Sequence, residues 1–225
     1  MRFNTKLLHG NKMGDANTGA TLTPVYQSSA FYQPSAEQHE KLFHNKATGF
    51  SYTRINNPTI FAFEERMTTL EGGLASVACA SGMAAITNAL LNIVTCGQEI
   101  VASTSLYGGS IDVFHDFEAF GIKTVFVDIS DVNAVEAAIN ENTRVIFAET
   151  IGNPKLDVVD IEALAELAHQ HDLPLVMDNT VATAYLVKPI EKGADIVVNS
   201  TSKYINGNSN AISGVITESG RFKWN

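Results

Sequence analysis

The stretch DIVVNSTSKYING, residues 195–207, runs through β-branched apolar residues into Ser200, Thr201 and Ser202, and then delivers Lys203. A lysine amine becomes a nucleophile and a base when burial or a nearby cation lowers its pKa. Taken alone, Lys203 at a strand end is a solvated gatekeeper, and four other stretches have equally plain readings. Ser81-Gly82-Met83 before an apolar helix is a cap, and Tyr107-Gly108-Gly109 is a turn. Asn153-Pro154 is a turn initiator, and Asp178-Asn179-Thr180 is a polar strand end. Brought to one edge, the five supply the parts of a pyridoxal-phosphate site. Lys203 bonds the aldehyde, Asp178 faces the pyridine nitrogen and keeps it protonated, and Tyr107 gives the flat ring an aromatic plate. The phosphate takes the Gly82 and Met83 amides at a helix N-terminus, with hydroxyls from Ser200 and Ser202.

Competing ligand chemistries lack their residues. The chain has no G-x-G-x-x-G, no G-x-x-x-x-G-K-[ST] and no G-x-S-x-G. His169 and His171, in HQH at a helix end, have no cysteine or acidic partner at ligand spacing, so no metal is expected.

The elements that must gather these residues follow from apolar periodicity. Short apolar runs predict strands at 75–79, 99–103, 123–128, 144–149, 175–178, 196–199 and 212–217. Helical spacing falls between most of them, at 82–93, 110–120, 131–140 and 161–169, after a first helix at 60–70 closed by Gly72-Gly73. Such alternation implies an α/β fold with an open, mostly parallel seven-stranded sheet covered on both faces. The last two strands have no helix between them, so one antiparallel strand is expected. Ligands of such sheets sit beyond the carboxyl ends of the strands, where all five stretches fall. The first 59 residues, rich in Thr, Asn, Gln, Pro and aromatics, read as an extended arm with one short helix near 35–43, ahead of a cofactor domain at 60–225.

The bulk numbers fit a compact soluble protein. Of 225 residues, 45% are hydrophobic and 17% charged, enough apolar content for a sizeable core. The net charge of −9, with no basic run, disfavours a nucleic-acid partner. Cys79 and Cys96 are too few for a disulfide framework, which points to a reducing compartment. No signal peptide or membrane-length apolar run is present, so a cytoplasmic protein without a membrane partner is expected. The closing ESGRFKWN reads as an interrupted loop rather than a docked terminus.

Taken in order, YTRINNPT, LEGG, SGMAAI, YGGS, NPKLDVVD, MDNT and STSKYING resemble the Cys/Met-metabolism family of pyridoxal-phosphate enzymes, of the aspartate-aminotransferase-like fold (fold type I). Within that family, TGATLTPVYQSSAF, ETIGNPKLDVVDI and GVITESGRFKW are most similar to the O-acetylhomoserine sulfhydrylase branch. The resemblance implies that Lys203 holds pyridoxal 5'-phosphate and shuttles protons, with Asp178 as pyridine partner and Tyr107 stacked on the ring and assisting the leaving group. It places Ser81, Gly82, Met83, Thr180, Ser200 and Ser202 around the cofactor, and Asn153 near its phenolic oxygen and the substrate carboxylate. Tyr52 and Arg54 match a pair given to the neighbouring subunit's phosphate, which implies a homo-oligomer: a dimer sharing active sites, assembled into a tetramer. The implied reaction is γ-replacement on O-acetylhomoserine by sulfide, giving homocysteine and acetate. Methionine or cystathionine γ-lyase, cystathionine γ-synthase, and a truncated, non-catalytic cofactor-binding fragment are the alternatives. Departures from the family pattern are Asn199 where many members have His, Ser202 for Thr, and Asn208 for His, Gln or Asp. The family's smaller C-terminal domain would lie beyond Asn225.

Overall fold

The computed structural model describes residues 1–10, 14–15 and 18–224. The parts of the expected arm at 11–13 and 16–17 lie outside the described residues. The chain divides into two compact units, Met1–Arg66 and Met67–Asn225.

The first unit contains α1 (Phe3–His9) and α2 (Ala36–Phe43). Ser35 caps α2 by accepting the Gln38 N–H at 3.2 Å. The intervening chain is irregular and held by side-chain bonds to backbone. Asn57 is buried; its Nδ2 donates to Tyr26 O and Thr53 Oγ1, both at 3.0 Å, and its Oδ1 accepts from Thr59 N at 2.8 Å. Helix α3 (Pro58–Glu71) begins in this unit with proline in its first turn, where no N–H is needed, and ends in the second unit at Gly72, φ +78°. Sequence periodicity missed α1, which buries no residue and so shows no apolar stripe.

The second unit is built on a seven-stranded sheet. Its strands are β1 (Ala75–Cys79), β2 (Glu99–Ser103), β3 (Lys123–Val127), β4 (Thr143–Glu149), β5 (Leu175–Asp178), β6 (Ile196–Asn199) and β7 (Gly214–Glu218). Their spatial order is β1-β7-β6-β5-β4-β2-β3, with β7 antiparallel to both neighbours and the other pairs parallel. Successive side chains alternate between two cores. Ile100, Phe147 and Val198 face one core, with α4 (Gly82–Leu91) and α5 (Gly108–Asp116). Val101, Ile146 and Val197 face the other, with α6 (Val132–Ala138) and α7 (Ile161–Gln170).

Three departures from the sequence expectation go beyond small shifts at element ends. The helix read at 110–120 is α5 followed by a 3₁₀ turn, Phe117–Phe120, stopped by Gly121 at φ +73°. Strand β7 starts at Gly214 rather than at 212, because Ser202 Oγ takes the Ser213 N–H at 2.9 Å and ladder pairing begins one residue later. A four-residue helix, α8 (Thr183–Leu186), follows β5 and is too short to show a period.

Candidate active site

The carboxyl ends of β4, β5 and β6 and the N-terminus of α4 form one connected rim. Asp178 closes β5 and is buried; its Oδ1 accepts from Thr180 N at 2.9 Å and from Thr180 Oγ1 at 2.5 Å. The same threonine oxygen accepts the Ser200 N–H at 2.8 Å, and the Asn179 N–H donates to Val198 O at 2.9 Å. The tips of β5 and β6 are therefore stitched together. Helix α4 meets them at a glycine. A Cβ on Gly82 would lie 2.4 Å from Ser200 Cβ and 2.9 Å from its Cα, so only glycine lets the helix start approach this strand tip. Ser81 caps α4 by accepting the Ala84 N–H at 3.0 Å. The Gly82 and Met83 amides, in the first turn, have no intrahelical acceptor and present the positive end of the helix beside the Ser200 hydroxyl.

Lys203 follows directly. Its backbone N–H donates to Ser200 O at 3.2 Å and its carbonyl accepts from Gly207 N at 2.9 Å. Its side chain is exposed and makes no ion pair among the described residues. Ser202 and Thr180 have other partners than the sequence reading gave them. Ser202 Oγ donates to Ser213 O at 3.1 Å. Thr180 bonds Asp178 and Ser200.

On the far side of Asp178 stands Glu149, its register partner at the end of β4. Glu149 is buried, and its two oxygens accept the backbone N–H of Tyr107 at 2.7 Å and of Asn153 at 3.2 Å. One carboxyl thus fixes the loops after β2 and β4, which carry the expected ring plate and the expected substrate-facing asparagine. Tyr107 is half exposed, and its ring lies over Gly109, where a Cβ would come within 2.6 Å of Cε1. Burial pushes the Glu149 carboxyl up to about 7, with the charge of Asp178 adding to the shift and the two N–H bonds opposing it. Burial likewise raises Asp178 against the two bonds from Thr180. Sequence reasoning missed Glu149. Its signal was a glutamate ending the otherwise apolar strand VIFAE, a position that charged residues seldom occupy unless partnered.

Tyr52 and Arg54 lie in the first unit, with the Arg54 guanidinium 5.1 Å from the centre of the Tyr52 ring. His169 pairs with Asp195 at 2.9 Å and His171 with Glu136 at 3.7 Å. Among the described residues no cluster of three or more His, Cys, Asp or Glu is placed to hold a metal.

The donor set suits pyridoxal phosphate: free helix amides and a hydroxyl for an anion, a buried carboxyl whose raised pKa a facing cation would relieve, and an exposed amine nearby. Comparison with known proteins agrees. The family described as Cys/Met metabolism PLP-dependent enzyme matches residues 4–225. An O-acetyl-L-homoserine sulfhydrylase of Leptospira meyeri is 45% identical over 221 residues, covering 98% of this chain and 50% of the relative. An L-methionine gamma-lyase of Fusobacterium nucleatum subsp. polymorphum is 44% identical over 200 residues, 88% of this chain and 51% of the relative. A crystal structure from Campylobacter jejuni, described as a candidate O-acetylhomoserine (thiol)-lyase and solved with N'-pyridoxyl-lysine-5'-monophosphate, superimposes with a TM-score of 0.94. It is 34% identical, with 99% of this chain and 55% of that one covered. The chain spans about half the length of the curated relatives it matches. Sheet, rim and likeness agree: this chain belongs to the Cys/Met-metabolism family of pyridoxal-phosphate-dependent enzymes.

Proposed function

We propose that Lys203 holds pyridoxal 5'-phosphate and that the whole protein catalyses γ-replacement on O-acetylhomoserine by sulfide, giving homocysteine and acetate. The observation that carries the reading is the unbroken run of contacts from Gly82 through Ser200, Thr180 and Asp178 to Glu149 and Tyr107, with Lys203 bonded to Ser200. When bound, the cofactor supplies an electron sink for charge left at the substrate α-carbon. The chain does the rest. The Gly82 and Met83 amides and the Ser200 hydroxyl bind the phosphate. Asp178 faces the ring nitrogen, Tyr107 covers the ring, and Asn153 orients the substrate carboxylate. The Lys203 amine takes the α-proton, and removal of a second proton from Cβ expels acetate from Cγ. Sulfide bonds at Cγ, and the two protons are returned to Cβ and Cα. Residues 1–59 act as an arm carrying Tyr52 and Arg54 to the phosphate of a neighbouring subunit, so the working form is a homo-oligomer that shares its sites between subunits.

The choice of sulfide replacement rests on the sulfhydrylase relative at 45% identity. The γ-lyase at 44% supports a second reading, elimination from methionine or cystathionine with the same residues. Assay of the full-length protein with O-acetylhomoserine plus sulfide, O-succinylhomoserine, cystathionine and methionine separates them. Homocysteine from the first mixture is the expected dominant product, and preferential cleavage of methionine would overturn the replacement reading. Borohydride reduction should fix the cofactor on Lys203, and recovery of that peptide unmodified would remove Lys203 from its role.

A further inference from the structure

Beneath the rim lies a buried carboxyl that the proposed mechanism does not use. Glu71, the last residue of α3, is fully buried. Its Oε1 accepts from Asn199 Nδ2 at 2.9 Å and from Asn179 Nδ2 at 3.5 Å. Asn179 is oriented independently, since its Oδ1 accepts from Thr150 Oγ1 at 3.1 Å and its Nδ2 also donates to Val187 O at 3.0 Å. Two buried oxygens in this cluster have no partner: Glu71 Oε2 and Asn199 Oδ1. They belong to a carboxyl and a carboxamide already joined by one hydrogen bond, and both are acceptors. What the pair lacks is one hydrogen. A proton on Oε2 turns that oxygen into a donor and gives Asn199 Oδ1 its bond, closing an acid–amide ring in which each side chain donates once and accepts once.

We propose that Glu71 is a protonated acid in the folded protein, donating from Oε2 to Asn199 Oδ1, and that it is a positioning residue tying the tips of β5 and β6. Asn179 and Asn199 directly adjoin Asp178 and Ser200, so the ring holds in place the backbone that presents the pyridine partner and the lysine loop. Two further facts favour the neutral form. A carboxylate here would stand at the negative end of a 14-residue helix. The positive group that would favour an ion, Lys188, is already paired with Glu191 at 2.6 Å. Burial moves the Glu71 carboxyl from 4.5 up to about 7, against the bonds from Asn199 and Asn179 and the charge of Lys188.

The proton can be tested without reference to catalysis. Its link to cofactor binding rests on the proposed function. Glu71→Gln keeps one donor and one acceptor facing Asn199 and cannot titrate. Because the folded pKa lies above the unfolded one, the proton's contribution is complete below about pH 4.5 and is lost as pH rises through about 7. Urea unfolding of the full-length protein should find the variant gaining on wild type as pH rises from 5 to 8, by on the order of 100-fold in the unfolding constant. A difference that is flat with pH, or that grows in favour of wild type, would overturn the proposal. Either would indicate an ionised Glu71 whose neighbours take their hydrogens from a buried water. Should the variant fail to fold, the Glu71 carboxyl carbon can be followed in ¹³C-glutamate-labelled wild type, assigned through Asn199→Ala; titration in the ordinary carboxylate range is then the contrary result. For the positioning role, Glu71→Ala should lose retention of pyridoxal phosphate, read from its absorbance, and Glu71→Gln should restore it. Unchanged retention in Glu71→Ala would overturn that role. If wild type itself takes up no cofactor, the proposed function fails while the unfolding series still judges the proton.

Discussion

At the scale of single residues, Gly82 and Glu149 make opposite kinds of demand. Gly82 matters for what it lacks. An added methyl would enter within 2.4 Å of Ser200 Cβ, and the Ser200 Cα at 2.9 Å belongs to backbone that cannot swing aside. Gly82→Ala should therefore cost about 1–3 kcal/mol in urea unfolding and loosen phosphate retention, as for other overpacked contacts. Gly108→Ala faces open space and should shift stability by no more than about 0.5 kcal/mol. Glu149 matters for what it accepts. Glu149→Ala leaves the Tyr107 and Asn153 amides without their acceptor and should destabilise by about 1–3 kcal/mol. The effect has a pH signature. Folding raises this carboxyl from 4.5 to about 7, so its protonation favours the folded state below that range, and wild-type stability should fall as pH rises through it. Unfolding midpoints from pH 5 to 8, with the Ala variant as the non-titrating reference, would show it. That Lys203, Asp178, Ser200 and Tyr107 fall toward one end of the sheet was legible because each closes or follows an apolar run. Glu71 and Glu149 were not. A single glutamate in LEGG or FAET reads as a surface residue, and its burial is decided by strands far away in sequence. The partners of Ser202 and Thr180 were hidden for the same reason, since what a hydroxyl bonds depends on what the fold brings beside it.

At the scale of elements, the strands were readable because each is a four- to seven-residue apolar run with a polar break after it. The order was not. Runs of valine and isoleucine such as those in β5 and β6 carry no label for their neighbour, and the insertion of β7 between β1 and β6 leaves no local trace. The split of the fifth helix was equally silent, since Phe114 and Phe117 keep helical spacing across the break into the 3₁₀ turn. Phe114 is the element-level test of this face. It is wholly buried, its ring 5.1 Å from and nearly perpendicular to that of Phe147 on β4, with Phe117 and Phe126 also at 6.1 Å. Phe114→Ala should cost about 3–5 kcal/mol by urea unfolding while the far-ultraviolet dichroism of the folded form is kept. A loss below about 1 kcal/mol would mean that α5 does not hold this face of the sheet.

At the scale of the whole molecule, the arm poses the sharpest question. Arg54 is exposed and its guanidinium meets the face of Tyr52; under the proposed function its planar fork reaches a phosphate on another subunit. Arg54→Ala should then weaken cofactor retention. Mixed refolding of full-length Arg54→Ala with Lys203→Ala should restore a fraction of active sites that neither variant has alone. Hybrids without activity, beside wild-type controls that regain it, would return Arg54 to its own subunit. The antiparallel strand β7 has a consequence for how such a chain is made. Among the described residues strand β1 joins the sheet only through β7, and the Ser76 hydroxyl meets that of Thr217 at 2.8 Å across 141 residues of sequence. At translation rates of roughly 5–20 residues per second, that separation is roughly 7–28 s of waiting on the ribosome. Through that interval the nascent chain holds its first strand without a neighbour. Helix α4 has no β6 tip to rest on until Ser200 has emerged. The anion cradle is thus a late product of synthesis, and a polysome carrying chains stalled before residue 214 should display β1 to chaperones and proteases that the finished protein turns away.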